Sequence, residues 1–138
     1  MSEKKGATVF ACTVHDPQRY GVVTFDERGI AQTIEEKPKR PTSRLASMGI
    51  YVFNRQTLID ALDNAHVDFG KHVIPLMLDK NDRVFAYNFN DTLIPGMKPE
   101  EKGYWKDVGT IDSYYDANMD LINVSPQLNL YNYKWHIL

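Results

Sequence analysis

The sequence lacks several features that would point to an unusual environment. Its single cysteine, Cys12, excludes an internal disulfide, and a thiol in an alternating apolar run is typical of a core position. No apolar run is long enough to span a membrane, and the opening residues, Met-Ser-Glu-Lys-Lys, lack the apolar segment of a secretory signal. We therefore expect a cytoplasmic protein without a membrane partner.

Charge and metal-binding patterns are also sparse. The formal net charge is −2 and the only basic cluster covers residues 37–40, so we expect no nucleic-acid partner. The four histidines have no metal-ligand spacing, and the chain has neither a Gly-rich phosphate loop nor a Gly-x-Ser-x-Gly motif. The remaining composition, 43% hydrophobic and 25% charged, predicts one globular domain over residues 1–138.

Apolar periodicity predicts a sheet interleaved with helices. Runs of β-branched and aromatic residues predict strands over residues 7–14, 20–25, 30–36, 45–53 and 83–89, and a short strand over 104–107. Helical spacing predicts helices over residues 55–64 and 71–78, and a third from the N-cap Thr110 through Asn123. Since a turn at Gly29 pairs two early strands as a hairpin, we expect an α/β fold with a mixed sheet and flanking helices.

Two short stretches concentrate the candidate chemistry. Over residues 103–110 (Gly-Tyr-Trp-Lys-Asp-Val-Gly-Thr), two aromatic side chains precede one carboxylate, Asp107. A carboxylate in apolar surroundings either binds a hard cation such as Mg²⁺ or interacts with backbone donors at the helix start. Over residues 35–38 (Glu-Glu-Lys-Pro), Glu36 and Lys37 end a strand, where they either hold sugar hydroxyls and a phosphate or form an ordinary solvated strand end.

Four further residues each have a functional and a structural interpretation. Gly49 interrupts a strong strand, which marks either a bulge or tight packing, or a place where a ligand approaches the backbone. Asp68 precedes a helix and either caps it or accepts hydrogen bonds from ligand hydroxyls. Tyr51 and Trp105 either form a wall for a sugar ring or belong to the core, as aromatic residues in strands usually do.

Five motifs occur in one order along the chain, and together they resemble the sugar-1-phosphate nucleotidylyltransferase family. They are Glu-Glu-Lys-Pro at 35–38, Ser-Met-Gly-Ile-Tyr-Val-Phe at 47–53, Asp-Phe-Gly-Lys at 68–71, Tyr-Trp-Lys-Asp-Val-Gly-Thr at 104–110, and Asn-Leu-Tyr at 129–131 with Trp135. They are most similar to the bacterial ADP-glucose pyrophosphorylases, or glucose-1-phosphate adenylyltransferases. Residues 6–23 are more similar to the glucose-1-phosphate thymidylyltransferases, so a dTDP- or UDP-glucose-forming relative is the alternative.

The resemblance implies a reaction, a cofactor and a set of site residues. The family joins a nucleoside triphosphate such as ATP to glucose 1-phosphate with release of pyrophosphate, uses Mg²⁺, and through ADP-glucose serves glycogen biosynthesis. By motif, Lys37 would hold the phosphate of glucose 1-phosphate and Glu36 would accept from sugar hydroxyls. Asp107 would be the catalytic residue, as one of two Mg²⁺ carboxylates. The implied sugar-pocket residues are Ser47, Gly49, Tyr51, Asp68 and Trp105.

The sequence also departs from the family pattern. The family's Gly-rich triphosphate loop and its second metal-binding aspartate are not in these 138 residues. We therefore expect the sugar-phosphate-binding half of a Rossmann-like nucleotidylyltransferase domain, which binds nucleotide only with the other half and is inactive alone. The alternative is a non-catalytic regulatory or scaffold subunit, which would form a homo-oligomer or join a complementary chain through a sheet edge and the apolar tail at 128–138.

Overall fold

The chain folds as two compact units that divide between Asn88 and Phe89. The computed structural model describes residues 6–135, so the expectations for the Met-Ser-Glu-Lys-Lys start and for the end of the apolar tail at 136–138 lie outside the described residues. The single domain predicted over residues 1–138 stays a prediction.

The first unit is built on a five-stranded sheet. Its strands are β1 (Ala7–Thr13), β2 (Gly21–Phe25), β3 (Ala31–Glu36), β4 (Leu45–Phe53) and β5 (Val84–Asn88). They lie in the order β3-β2-β4-β1-β5. β1 pairs antiparallel with β4 and parallel with β5, while β2 pairs antiparallel with both β3 and β4. The mixed sheet confirms the predicted α/β class.

Helices fill the connection between β4 and β5. They are α1 (Arg55–Leu62) and α2 (Ile74–Asp79), and a π-helical turn (Phe69–Val73) leads directly into α2. Asn54 caps α1, because its side chain accepts from the backbone N–H of Gln56 at 3.1 Å. Pro75 lies in the first turn of α2, the part of an α-helix where proline is best tolerated. Both helices lie where the sequence predicts them, although the second begins as the π-helical turn.

The core of the first unit joins the sheet to α2. Val9, Val23 and Val84 come from three different strands and pack with Ile74 and Met77 of α2, and all five side chains are buried. Burial of each such side chain contributes about 1.5–3 kcal/mol. This cluster therefore fixes the turn that precedes α2 against the sheet. As a result, the polar residues of that turn lie beside the ends of β3 and β4.

The second unit has one α-helix, α3 (Ile111–Leu121), preceded by short 3₁₀ turns at Phe89–Asp91 and Pro99–Glu101. The predicted strand over residues 104–107 is wrong, because this segment pairs with no strand in the described part of the chain. Buried Asn132 ties the unit together through its side-chain N–H, which donates to the carbonyl of Pro95 at 2.9 Å. Among residues 6–135, no helix is both long enough and apolar enough to cross a membrane.

Candidate functional site

Glu36 is the last residue of β3, and it lies directly opposite Gly21 of β2. Its Oε2 atom would be only 3.1 Å from a Cβ atom placed on Gly21, and the Cβ of Ser47 would be 3.7 Å from the same point. A side chain at position 21 would therefore displace the carboxylate. The missing side chain of Gly21 lets Glu36 lie across β2 toward Ser47 of β4.

A second glycine, Gly70, marks the point where polar groups from three elements meet. A Cβ atom placed on Gly70 would be 3.4 Å from Glu36 Oε2, 3.6 Å from Asp68 Oδ1 and 3.7 Å from the Tyr51 hydroxyl. The structure thus brings together four of the predicted pocket residues around two glycines: Glu36, Ser47, Tyr51 and Asp68. This polar cluster is the candidate site of the first unit.

Asp68 caps a helical turn, which is one of the two roles that the sequence allows for it. Its Oδ1 accepts from the backbone N–H of Lys71 at 2.8 Å and caps the π-helical turn. That hydrogen bond is the main reason why the pKa of Asp68 is lowered from its ordinary value. Asp68 is therefore a carboxylate at neutral pH. Its ligand-binding role stays a prediction.

Tyr51 is held in place by aromatic packing. Its ring stacks on Phe69 with a centroid distance of 5.4 Å and an interplanar angle of 23°, and Phe53 packs against the same Phe69 ring at 5.7 Å. The ring is thus partly a core aromatic, as one interpretation predicts. Its hydroxyl nevertheless reaches the polar cluster, because the ring extends past the core toward Gly70.

Lys37 follows Glu36 at the edge of the site. Its ammonium Nζ is 4.0 Å from Glu36 Oε1, and its side chain is 65% exposed. The backbone of Lys37 has a φ of 49°, in the left-handed region that disfavours lysine. An exposed ammonium beside the carboxylate is available to an anion, and its phosphate-binding role stays a prediction.

Gly49 lies in a bulge of β4. Val9 of β1 is opposite Tyr51 and Ala11 is opposite Ser47, so three residues of β4 face one residue of β1. Gly49 has a φ of 71°, its N–H donates to Ser47 Oγ at 3.3 Å, and nothing would lie within 4 Å of a Cβ there. The bulge interpretation is confirmed and tight packing is wrong. A sugar contact at Gly49 stays a prediction.

Trp105 and Asp107 belong to the second unit, on an irregular segment anchored to α3. Asp120 of α3 accepts from the Tyr104 hydroxyl at 3.1 Å and pairs with the Lys106 ammonium at 2.8 Å. The hydrogen bond from Lys106 lowers the pKa of Asp120, and the same bond raises the pKa of Lys106. Along the chain, the anchoring residues Tyr104 and Lys106 alternate with the predicted site residues Trp105 and Asp107.

The start of α3 follows this segment immediately. Thr110 caps the helix as predicted, since its Oγ1 accepts from the backbone N–H of Ser113 at 3.1 Å. In return, the Ser113 hydroxyl accepts from the backbone N–H of Thr110. The cap fixes the chain where the segment carrying Asp107 turns into the helix. The two oxygens of the Asp107 carboxylate lie 3.3 and 3.4 Å from the point where a Cβ of Gly109 would be.

The described residues do not fit a complete Mg²⁺ site. A protein-bound Mg²⁺ ion takes one or two carboxylates together with substrate phosphates and water. Asp107 supplies one exposed carboxylate, and within residues 6–135 no group of three His, Cys, Asp or Glu side chains is placed to hold a metal ion. A Mg²⁺ ion at Asp107 would need further ligands.

Two site residues were missed by sequence reasoning. Gly21 and Gly70 were not singled out as candidates, although Gly70 stands in the Asp-Phe-Gly-Lys motif. The importance of Gly21 depends on its pairing with Glu36 across two strands, which sequence spacing does not show. The signal at Gly70 is a glycine two residues after a capping aspartate.

Comparisons with known proteins agree with the motifs. The profile of a family described as "Nucleotidyl transferase" matches residues 1–124. Over 136 residues the chain is 60% identical to the glucose-1-phosphate adenylyltransferase of Geobacter metallireducens, covering 91% of this chain and 33% of the relative. The proteins of the same name from Trichlorobacter lovleyi and Lachnospira eligens are 58% and 46% identical, covering 89% and 90% of this chain and 32% and 27% of the relatives. The chain thus spans about a third of the length of these relatives.

Proposed function

The chain belongs to the nucleotidyl transferase family, and on that premise we propose that it is the sugar-phosphate-binding part of an enzyme that makes ADP-glucose. The full reaction would join ATP to glucose 1-phosphate: an oxygen of the sugar phosphate attacks the α-phosphorus, and pyrophosphate leaves. The shared name of the relatives favours adenylyl transfer over a dTDP- or UDP-glucose product. A cytoplasmic location and a place in glycogen biosynthesis are part of the same proposal.

The observation that carries the proposal is the polar cluster around Gly21 and Gly70. A sugar presents several hydroxyls in fixed directions, and a site for it needs acceptors and donors that converge from different elements. Glu36 supplies a carboxylate, Tyr51 a hydroxyl that both donates and accepts, and Asp68 a second carboxylate. The Ser47 hydroxyl keeps its proton for donation, because it accepts from the N–H of Gly49.

Lys37 supports the phosphate half of the substrate. Oε1 of Glu36 is 4.0 Å from the Lys37 ammonium, which is a weak, solvent-screened pairing for an exposed group. A phosphate carries more negative charge than this carboxylate, so it would draw the ammonium toward itself. Sugar hydroxyls at Glu36 and a phosphate at Lys37 would then lie side by side, as they do in a sugar phosphate.

The proposed roles of Trp105 and Asp107 rest on the family resemblance. Trp105 would wall the sugar pocket, and Asp107 would be one of two carboxylates that hold Mg²⁺, with the second supplied from elsewhere. Bound Mg²⁺ would neutralise charge on the nucleotide phosphates. ATP would be bound only when the residues that hold the triphosphate are present.

Calorimetric titration of glucose 1-phosphate into the purified chain, with and without Mg²⁺, tests the proposal. We expect saturable binding by the wild-type chain, and at least about tenfold weaker binding by Lys37→Ala, since a hydrogen bond to a charged group contributes about 1.5–3 kcal/mol. Lys39→Ala, an exposed lysine two residues along, is the matched control and should bind normally. A folded wild-type chain that binds no glucose 1-phosphate would refute the proposal.

A non-catalytic subunit role is the second candidate, and exposed apolar side chains in the second unit favour it. Ile111 is 87% exposed, Ile122 is 76% exposed and Tyr131 is 91% exposed. Exposed apolar surface of this kind favours association with a second surface, either another copy of the chain or a complementary chain. Light scattering after size-exclusion chromatography tests it, and a monomer at all concentrations would argue against self-association.

A further inference from the structure

Gly70 is a glycine that the fold itself does not need. Its φ lies outside the left-handed region, unlike those of Gly29, Gly49, Gly96 and Gly103. A Cβ at Gly70 would meet its neighbours at 3.4–3.7 Å, which is ordinary van der Waals contact. In addition, Gly70 lies in the π-helical turn before α2, and alanine suits a helical position better than glycine does.

The other glycines have a structural reason that Gly70 lacks. A Cβ at Gly6 would clash with the carbonyl of Arg83, a Cβ at Gly21 would be 3.1 Å from Glu36, and a Cβ at Gly109 would be 3.3 Å from Asp107. The chain has eight glycines, all within residues 6–135, and Gly70 is the one with neither a positive φ nor a contact shorter than 3.4 Å at its Cβ position. Some requirement other than folding therefore favours glycine at position 70.

The space that a Cβ would take at Gly70 is surrounded by polar atoms. Glu36 Oε2, Asp68 Oδ1 and the Tyr51 hydroxyl all lie within 3.7 Å of that point. Within residues 6–135, Glu36 Oε2 and the Tyr51 hydroxyl have no hydrogen-bond partner. A methyl group there would cover these three hydrogen-bonding atoms, whereas without it a ligand hydroxyl can approach the Gly70 Cα closely enough to bind to them.

We infer that Gly70 is a specificity-determining residue, whose missing side chain leaves room for one hydroxyl of the sugar phosphate. The inference rests on the proposed function, because it takes a hexose 1-phosphate as the ligand. Glu36 would accept from this hydroxyl, and Tyr51 would donate to it or accept from it. Gly21 has a different task, since it admits the Glu36 carboxylate into the site, whereas Gly70 keeps the space in front of that carboxylate open.

Gly70→Ala tests the inference, because it fills the space without disturbing the fold. We expect the thermal midpoint of the variant to equal or exceed that of the wild type, and its affinity for glucose 1-phosphate by calorimetry to fall at least tenfold. Asp79→Ala, at an exposed position at the end of α2, is the control and should bind like the wild type. A variant that keeps full affinity would overturn the inference.

A panel of deoxy sugars provides the second measurement. Glucose 1-phosphates that lack the 2-, 3-, 4- or 6-hydroxyl are titrated into both proteins. We expect one of them to bind Gly70→Ala within about threefold of its affinity for the wild type, because the added methyl replaces the hydroxyl that this analogue lacks. Equal losses for all four analogues would overturn the assignment to a single hydroxyl.

The outcomes for the inference and for the proposed function are distinguishable. Binding by the wild type together with undiminished binding by Gly70→Ala leaves the proposed function standing and refutes the role of Gly70. No binding of glucose 1-phosphate by the folded wild type refutes the proposed function, and the role of Gly70 falls with it. Wild-type binding that Gly70→Ala loses and one deoxy analogue restores supports both.

Discussion

Lys37 combines an exposed charge with a backbone conformation that lysine disfavours. The only other non-glycine residue with positive φ among residues 6–135 is Asn81, and asparagine adopts this conformation more readily. For lysine the left-handed region costs about 1–2 kcal/mol. The Lys37 backbone N–H still donates to the carbonyl of Tyr20 at 2.9 Å, so the surrounding strands impose this conformation. Strain of this kind is concentrated at functional sites.

Lys37→Asn should separate stability from binding. Asparagine relieves the strain, so we expect the free energy of unfolding in urea to stay unchanged or rise by up to about 1 kcal/mol. Loss of the ammonium should weaken glucose 1-phosphate binding by at least about tenfold. Lys39→Asn is the matched control and should not gain stability, since Lys39 has no positive φ. A destabilised Lys37→Asn variant with intact binding would contradict both the strain and the role.

Cys12 is buried in β1, and burial raises the pKa of its thiol from 9.0 to about 11. At pH 8 only about one thiol in a thousand is then ionised, so we expect very slow reaction with a thiol reagent such as DTNB until urea unfolds the chain. Because the thiol pKa is higher in the folded chain than in the unfolded chain, its contribution to stability is fully present only at pH values below the unfolded pKa. We therefore expect stability to fall as the pH rises from about 9 toward about 11. Fast labelling of the folded protein would show that Cys12 is not buried in solution.

At the scale of elements, the strands were the most predictable part of the fold. Alternation and β-branched content placed β1 to β5 within one or two residues, because these signals lie within each strand. The bulge at Gly49 stayed one of several interpretations, since a bulge is defined by the register with the neighbouring β1. The roles of Gly21 and Gly70 were missed for the same reason, as they depend on side chains brought in from other elements.

The segment over residues 104–107 shows where local sequence misleads. Its aromatic residues predict a strand, yet no strand of the described chain pairs with it. Side-chain anchors hold it instead: Tyr104 and Lys106 both reach Asp120 of α3. Local composition reports a preference for extended backbone, whereas a strand also needs a neighbour with free hydrogen-bonding groups.

Asp120→Asn should loosen this segment in a pH-dependent way. Lys106 lowers the pKa of Asp120, and a lowered carboxyl pKa contributes stability above the unfolded pKa of about 3.9 that is lost as pH falls through the folded value. We expect a lower thermal midpoint for the variant at pH 7, and a difference from the wild type that shrinks as the pH falls below about 4. Circular dichroism melts measure it, with Asp79→Asn as the exposed control. A difference that stayed constant down to pH 2 would exclude the ion pair as its cause.

At the scale of the whole molecule, the residues that the motifs single out fall in two different units. The polar cluster belongs to the first unit, while Trp105 and Asp107 belong to the second. The first unit has a connected apolar core to hold its cluster, whereas no residue of α3 is buried. Sugar-phosphate binding through Glu36 and Lys37 can therefore be tested independently of the roles of Trp105 and Asp107.

The whole chain should bind substrate without turning it over. Nucleotidyl transfer depends on positioning and on neutralising the charge of the nucleotide phosphates. The sequence has no Gly-rich loop to hold a triphosphate, and Asp107 is its one predicted metal carboxylate. With ATP, glucose 1-phosphate and Mg²⁺, we expect no ADP-glucose above the enzyme-free blank by anion-exchange chromatography, while a full-length relative assayed in parallel forms it. ADP-glucose from the pure chain would contradict this prediction and would mean that these 138 residues hold the nucleotide as well as the sugar phosphate.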